Sequence, residues 1–190
     1  MTPFPIPLVA ALVLWAVFEV VLVLRDLINR KGRFGKDKGS RYVVNLGLFV
    51  GLFLGGGLRN PKYSFAGGPD SLGLWIGVAF LMVGLALRVW AVAALGRSFR
   101  LTVETHLGQE VVRSGPYRYV RHPAYGGLIL ICLGYGIALQ NWLSLAFAVL
   151  FPVVTLLYRI HVEERALISS LGEDYERYQK ETKRLIPWVW

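Results

Sequence analysis

Two clusters of polar and aromatic residues sit at the mouths of strongly apolar stretches. The first is Gly115-Pro116-Tyr117-Arg118-Tyr119-Val120-Arg121-His122-Pro123-Ala124-Tyr125-Gly126-Gly127, and the second is Arg159 with Glu163 and Glu164. Charge kept beside a lipid phase is costly, so it usually has a task. Proline suits the first turn of a helix, so Pro123 predicts a helix start. The free N–H groups and dipole of such an end attract anions, and Arg121 and His122 add donors there. That chemistry is capture of a small anion such as a carboxylate; the plain alternative is a helix start with interfacial charges. Tyr117, Tyr119 and Tyr125 can stack on a flat heterocycle or serve as interfacial belt residues. Arg159 and Glu163 stand four apart and share a helix face. The basic residue comes first, which is the weaker order for an ion pair. A site needing one anion binder and one cation binder explains the pair better than stability does. Glu164 points about 100° away on the helix and reads as the solvated neighbour.

The elements that must position these residues are membrane spans. Of 190 residues, 55% are hydrophobic and 17% charged, whereas a soluble domain averages about 25% charged. The apolar residues come in blocks, which predicts spans at 6–24, 42–58, 72–95, 123–139 and 142–158. Gln140-Asn141 alone separates the last two, so they form a tight helical hairpin, either spanning or re-entrant. The net charge of +9 lies in basic residues flanking apolar runs, a pattern of membrane orientation rather than nucleic-acid binding. Lysine and arginine number seven in 25–41, two in 59–71, five in 96–122, none in 140–141 and six from Arg159 onward. This alternation predicts an all-α integral membrane protein with five transmembrane helices, N-terminus out and C-terminus in, plus a cytoplasmic C-terminal helix. Residues 1–95 then form the acceptor-side scaffold, and 96–190 the half that carries both clusters on the cytoplasmic side. The N-terminus lacks a basic n-region and a clear cleavage site, so it reads as a retained first span.

Gly47, Gly51 and Gly55 recur at four-residue spacing, with Gly73 and Gly77 in the next span. Such stripes let helices approach closely in lipid, within the chain by default or across a dimer seam. Arg88 either snorkels to the cytoplasmic edge or lines a polar cavity, where it would be a substrate-side cation. Glu19 lies near the same edge and reads as snorkelling. His106 and His161 read as solvent-facing. Cys132, the sole cysteine, reads as a buried small hydrophobe, and no Cys/His metal spacing occurs. In the tail, Leu167, Leu171, Tyr175 and Tyr178 share one face, Gly172 ends or kinks the helix, and Trp188 and Trp190 suit an interface.

Together these residues resemble the isoprenylcysteine carboxyl methyltransferase family and its phospholipid N-methyltransferase relatives. The resemblance rests on Val111-Val112-Arg113-Ser114-Gly115-Pro116-Tyr117, Arg121-His122-Pro123-Ala124-Tyr125-Gly126-Gly127, Glu163-Glu164, and Gly172-Glu173-Asp174-Tyr175-Glu176-Arg177-Tyr178. It covers about residues 96 to 188. It implies methyl transfer from S-adenosylmethionine to a lipophilic or prenylated acceptor entering from the bilayer, most simply an isoprenylcysteine-like carboxylate. By position it implies cofactor contacts from Gln109, Val111, Val112, Tyr117, His122, Pro123, Ala124, Tyr125 and Glu163. Arg159 falls at the position linked to substrate, and Arg159 with Glu163 is the expected catalytic pair. Related chains often carry His where Gln109 stands, and Gln cannot titrate near neutral pH. Two alternatives remain: an NADPH-dependent reductase of the sterol type, and a non-catalytic lipid-binding protein. The reductase would usually have Asn before the tyrosine of the Arg-His motif and Asp after its glycine; here Ala124 and Gly127-Leu128 stand there.

Overall fold

The structure is a computed structural model that describes residues 4–28, 39–65, 71–96 and 111–187. Among the described residues six α-helices follow one another: α1 Ile6–Ile28, α2 Ser40–Gly57, α3 Leu72–Leu95, α4 Pro123–Ala138, α5 Trp142–Leu171 and α6 Glu173–Glu181. Short 3-10 turns occur at Pro61–Tyr63 and Gly115–Arg118. The described residues form no strand, only two isolated bridges. α1, α3 and α5 are long and apolar enough to cross a membrane, while α4, at 16 residues, is shorter.

The helices appear where the apolar blocks predict them, and α3 matches its expected bounds at both ends. α5 differs most. It does not stop near Tyr158 but runs on through Glu163 and Glu164 to Leu171, passing Pro152 unbroken. Pro152 packs against Gly51 of α2. Gly172, at φ 55°, ends α5 in a left-handed conformation that costs glycine little. At the hairpin turn Asn141 caps α5, its side chain accepting from the Leu143 and Ser144 N–H groups at 3.1 and 3.2 Å. Gln140 takes φ 53°, unusual for a non-glycine, and its carbonyl accepts from the Phe65 N–H at 3.1 Å. The turn is thereby stitched to the loop after α2.

Small residues decide which helices touch. α3 and α4 form the tightest seam, with Gly77 and Gly84 facing Gly134 and Gly127 so closely that a Cβ at any of the four meets backbone atoms. Gly47, Gly51 and Gly55 lie against Thr155, Pro152 and Ser144 of α5, so this stripe packs within the chain. Leu81, Leu128, Ile131, Tyr135, Ala148 and Leu156 fill the centre, and α1 lays Leu8 and Ala11 on the same core. The two halves of the chain therefore interlock: α3 closes on α4, and α2 on α5. The heads of α2 and α4, the end of α3 and the polar half of α5 meet at one end of the bundle.

The seam makes a stability prediction. A Cβ on Gly134 would lie 2.5 Å from the Gly77 carbonyl oxygen and from the Leu81 nitrogen, both backbone atoms with no rotamer to yield. Gly134→Ala should cost about 1–3 kcal/mol or more. At Gly57 an added Cβ meets nothing within 4 Å, so Gly57→Ala should leave stability unchanged or raise it slightly. Thermal melts of the two variants in detergent check the contrast.

Candidate active site

Both clusters meet at that end of the bundle. α4 begins at Pro123, as the sequence predicts. Its first turn presents Ala124 and Tyr125, with His122 immediately before it. α5 brings Arg159 and Glu163 alongside. The Tyr125 hydroxyl donates to Glu163 Oε2 at 2.7 Å and accepts from Arg159 Nε at 3.2 Å. Arg159 and Glu163 approach only to 3.9 Å directly. The phenol thus joins the two charges that the sequence sets four apart. The Arg159 guanidinium is buried and also reaches the Ser40 hydroxyl at the head of α2. The His122 and Tyr125 rings stack with centroids 5.6 Å apart. Tyr117 is buried against Ala91 and Ala124, with Val112 packed on the same cluster. Val111 is half-buried beside it. Burial first, then the Glu163 charge, pushes the Tyr117 hydroxyl well above the ordinary tyrosine value, so it stays protonated.

Four expectations need correction or completion. Glu164 is not a solvated neighbour. Its carboxylate takes Arg121 Nε at 2.9 Å, Arg184 at 3.1 Å and His122 Nε2 at 3.3 Å, and its side chain is 5% exposed against 28% for Glu163. The 100° turn away from Glu163 leads not into water but under the C-terminal tail. Glu19 does not snorkel: it accepts Arg88 Nε at 2.5 Å and Nη2 at 2.9 Å, and the Trp15 indole N–H at 2.9 Å. Arg88, 7% exposed, accordingly does not reach for the edge; it binds Glu19 and donates to the Ala124 carbonyl at 3.1 Å. The head of α4 offers fewer free amides than a bare helix start. The Tyr125 and Gly126 N–H groups both turn onto the His122 carbonyl at 3.1 Å, leaving the Ala124 amide in the first turn. Gln109, Glu104 and His106 lie outside the described residues, as do Trp188 and Trp190. His161 is exposed, as expected.

The tail clamps the site from outside the bundle. The Arg121 and His122 N–H groups donate to the Lys183 and Arg184 carbonyls at 2.8 and 3.0 Å. The Tyr178 hydroxyl donates to the Tyr117 carbonyl at 2.7 Å. Arg113 pairs with Glu181 and lies over the Tyr178 ring. Burial opposes the Glu164 charge, but hydrogen bonds from His122 and Arg121 outweigh it and hold this carboxyl down at about 2, from 4.5. Because the folded value is the lower one, the pair stabilises the fold in full above 4.5. That support drains as pH falls from 4.5 toward 2, by on the order of 3 kcal/mol. The difference in melting temperature between wild type and Glu164→Gln should therefore shrink on acidification to about pH 3. A difference independent of pH contradicts the assignment.

The donor set suits a zwitterionic, sulfonium-bearing ligand. Glu163 is a half-exposed carboxylate able to bind an ammonium. His122 and the Ala124 amide can bind a carboxylate, and tyrosine faces can meet a flat base or a cation. The family described as isoprenylcysteine carboxyl methyltransferase matches residues 75–169, half of the chain. The protein-S-isoprenylcysteine O-methyltransferase of Schizosaccharomyces pombe is 35% identical over 117 residues, covering 59% of this chain and 48% of that protein. A probable protein-S-isoprenylcysteine O-methyltransferase of Oryza sativa subsp. indica is 30% identical over 120 residues, 60% of this chain and 61% of that one. The chain thus spans about half to three fifths of the length of these relatives. A solved structure of the eukaryotic intramembrane Ras methyltransferase ICMT superposes with TM-score 0.54 at 29% identity, covering 61% of this chain and 42% of that chain. With the family match extending from α3 through both clusters to the polar half of α5, the chain belongs to the isoprenylcysteine carboxyl methyltransferase family.

Proposed function

We propose that the protein is a membrane methyltransferase that moves a methyl group from S-adenosylmethionine to the carboxylate of an isoprenylcysteine-like or related lipophilic acceptor. One observation carries the reading: the Tyr125 hydroxyl, at the head of α4, joins Glu163 and Arg159 of α5. A cation binder and an anion binder thereby stand side by side at one end of the bundle. The family's sterol-reductase relatives gain no support from the match, and the non-catalytic alternative is decided by the assay below.

When bound, S-adenosylmethionine supplies a methyl group on a positively charged sulfur. Glu163 holds its ammonium, and His122 with the Ala124 amide holds its carboxylate. Tyr117, Tyr125, Val111 and Val112 wall the adenine and the sulfonium, and the family resemblance adds Gln109 to this set. Arg159 holds the acceptor carboxylate. Arg88 is the second substrate-side cation, and the acceptor would compete with Glu19 for it. Charge is lost during the transfer, so positioning and exclusion of water supply most of the acceleration.

The protonation states favour an acceptor that arrives already ionised. Glu164 is occupied by Arg121, Arg184 and the His122 ring and held at a low value, which makes it a poor base. Tyr117 keeps its proton. Glu163 is engaged by Tyr125 and is needed for the ammonium. A carboxylate nucleophile needs no base, whereas an amine or alcohol does.

In the same reading α1 to α5 all span the bilayer, with the N-terminus outside and the site in the cytoplasmic leaflet. Residues 1–95 shape the acceptor pocket and 96–190 bind the cofactor. Titration calorimetry of S-adenosylhomocysteine into the detergent-solubilised chain tests the core of this. Saturable binding is expected, followed by methyl transfer to a farnesylcysteine analogue. No binding up to millimolar ligand overturns the proposal, and binding without transfer to any prenylated carboxylate overturns the acceptor.

A further inference from the structure

A buried carboxylate held by two arginines and an imidazole is an expensive device. Removing ions from water costs several kcal/mol each, and apolar replacements of such networks are often as stable or more so. Stability is therefore a poor reason for Glu164, and orientation is a better one. A carboxylate can only accept, so at 3.3 Å His122 Nε2 carries the proton and donates. That fixes the tautomer and the ring angle. No other hydrogen bond to the ring occurs among the described residues, so Nδ1 remains as its second polar atom. The ring stacks on Tyr125 at 5.6 Å with an interplanar angle of 18°. Tyr125 in turn holds Glu163 and Arg159. One chain of contacts thus runs from Glu164 through His122 and Tyr125 to the two charges of the site.

The far side of Glu164 is equally fixed. Arg121 binds Oε1, while its Nη1 donates to the Gln179 carbonyl at 3.0 Å and to the Thr182 carbonyl. Arg184 binds Oε2 from the tail. Glu164 cannot swing away without breaking the contacts that seat α6 and residues 182–184 on the bundle.

We propose that Glu164 is a positioning residue of the cofactor site: locked by Arg121 and Arg184, it sets the His122 ring so that Nδ1 is the atom offered to the ligand. This rests on the reading of His122 and Glu163 as cofactor-side residues. A ligand carboxylate also only accepts, so Nδ1 must donate to it. Donation from Nδ1 as well means that ligand binding takes up one proton from solvent, with Glu164 supplying the counter-charge.

The test uses the full chain in detergent with 15N-labelled histidine and S-adenosylhomocysteine as the probe. The His122 signal is identified by its loss in His122→Gln. The free wild type is expected to show a single Nε2–H tautomer, and the saturated protein both nitrogens protonated. In Glu164→Gln the free ring should show mixed tautomers, and the ligand Kd should rise about tenfold. KM for the methyl donor should rise with it while KM for the acceptor stays unchanged, and Glu164→Asp should recover part of the loss. A folded Glu164→Gln with wild-type Kd and an unchanged imidazole spectrum overturns the proposal. So does an equal loss of affinity in Arg113→Ala, which loosens the same clamp without touching Glu164. If Glu164→Gln does not fold, Arg184→Gln replaces it, since the Arg184 side chain is 38% exposed. Its Kd should rise several-fold, and an unchanged value is equally fatal. A wild type that ignores the ligand refutes the functional reading instead, while the tautomer comparison still decides whether Glu164 orients His122.

Discussion

Glu163→Ala is expected to weaken S-adenosylhomocysteine binding by roughly a hundredfold or more while leaving the fold close to its wild-type stability. The asymmetry follows from where Glu163 sits. Its side chain is 28% exposed, and among the described residues it has a 3.9 Å contact with Arg159 and one short hydrogen bond, from the Tyr125 hydroxyl. The protein itself gains little from this carboxylate. A ligand ammonium placed in the same enclosure would lose its counter-charge, a loss of about 2–5 kcal/mol for a desolvated pair. Tyr125→Phe gives the calibration. It removes the bridging hydroxyl but neither charge, so the loss should be nearer tenfold, in line with one hydrogen bond to a charged group. If Glu163→Ala binds as wild type does and still transfers methyl groups, Glu163 is not on the cofactor. If binding is intact but no methyl acceptor exists, the lipid-binding alternative gains the ground.

Much of this arrangement was legible in the residues. Apolar blocks and a proline at position 123 predict where the helices begin, and the glycine stripe of α2 predicts a close helix contact. The pairing of partners was not legible. Gly84, Gly127 and Gly134 make the α3–α4 seam, yet single glycines in apolar runs look alike whether they face lipid or another helix. The polar half of α5 was also hidden, because hydropathy ends the span near Tyr158 while the helix continues to Leu171.

The site was half legible for a related reason. Spacing along one helix reveals Arg159 and Glu163 as neighbours, but nothing local reveals that Tyr125, 38 residues before Glu163, comes between them. Glu164 was misread because a helical wheel knows only its own helix. Its partners Arg121 and Arg184 lie 43 and 20 residues away. The signal that was present, an acidic doublet facing the Arg-His pair of the other cluster, required treating both clusters as one object. Arg88 and Glu19 belong to the same class of error. Glu19 was read as snorkelling and Arg88 as snorkelling or lining a polar cavity, and the counter-charge on the neighbouring helix satisfied both more cheaply than the membrane edge.

That last pair carries the largest expected effect on folding. Arg88→Leu should destabilise the detergent-solubilised protein by about 3–5 kcal/mol, because it leaves the Glu19 carboxylate in an apolar setting with the Trp15 indole as its remaining partner among the described residues. The side chains are 7% and 27% exposed, and the α1 residues flanking Glu19, Val17, Val20 and Val21, are exposed apolar side chains. Adding Glu19→Leu to Arg88→Leu removes both charges and should return most of the lost stability, since matched apolar residues replace a buried ion pair at little cost. Function should not return with it. Arg88 also donates to the Ala124 carbonyl, in the turn that carries Tyr125, so the double variant is expected to be stable but several-fold weaker for S-adenosylhomocysteine. Melting curves and calorimetry on the same three proteins separate the two roles. Should the double variant melt as low as Arg88→Leu, the uncompensated charge is not the cause of the loss. Should it bind ligand as wild type does, Arg88 holds α1 in place and nothing more.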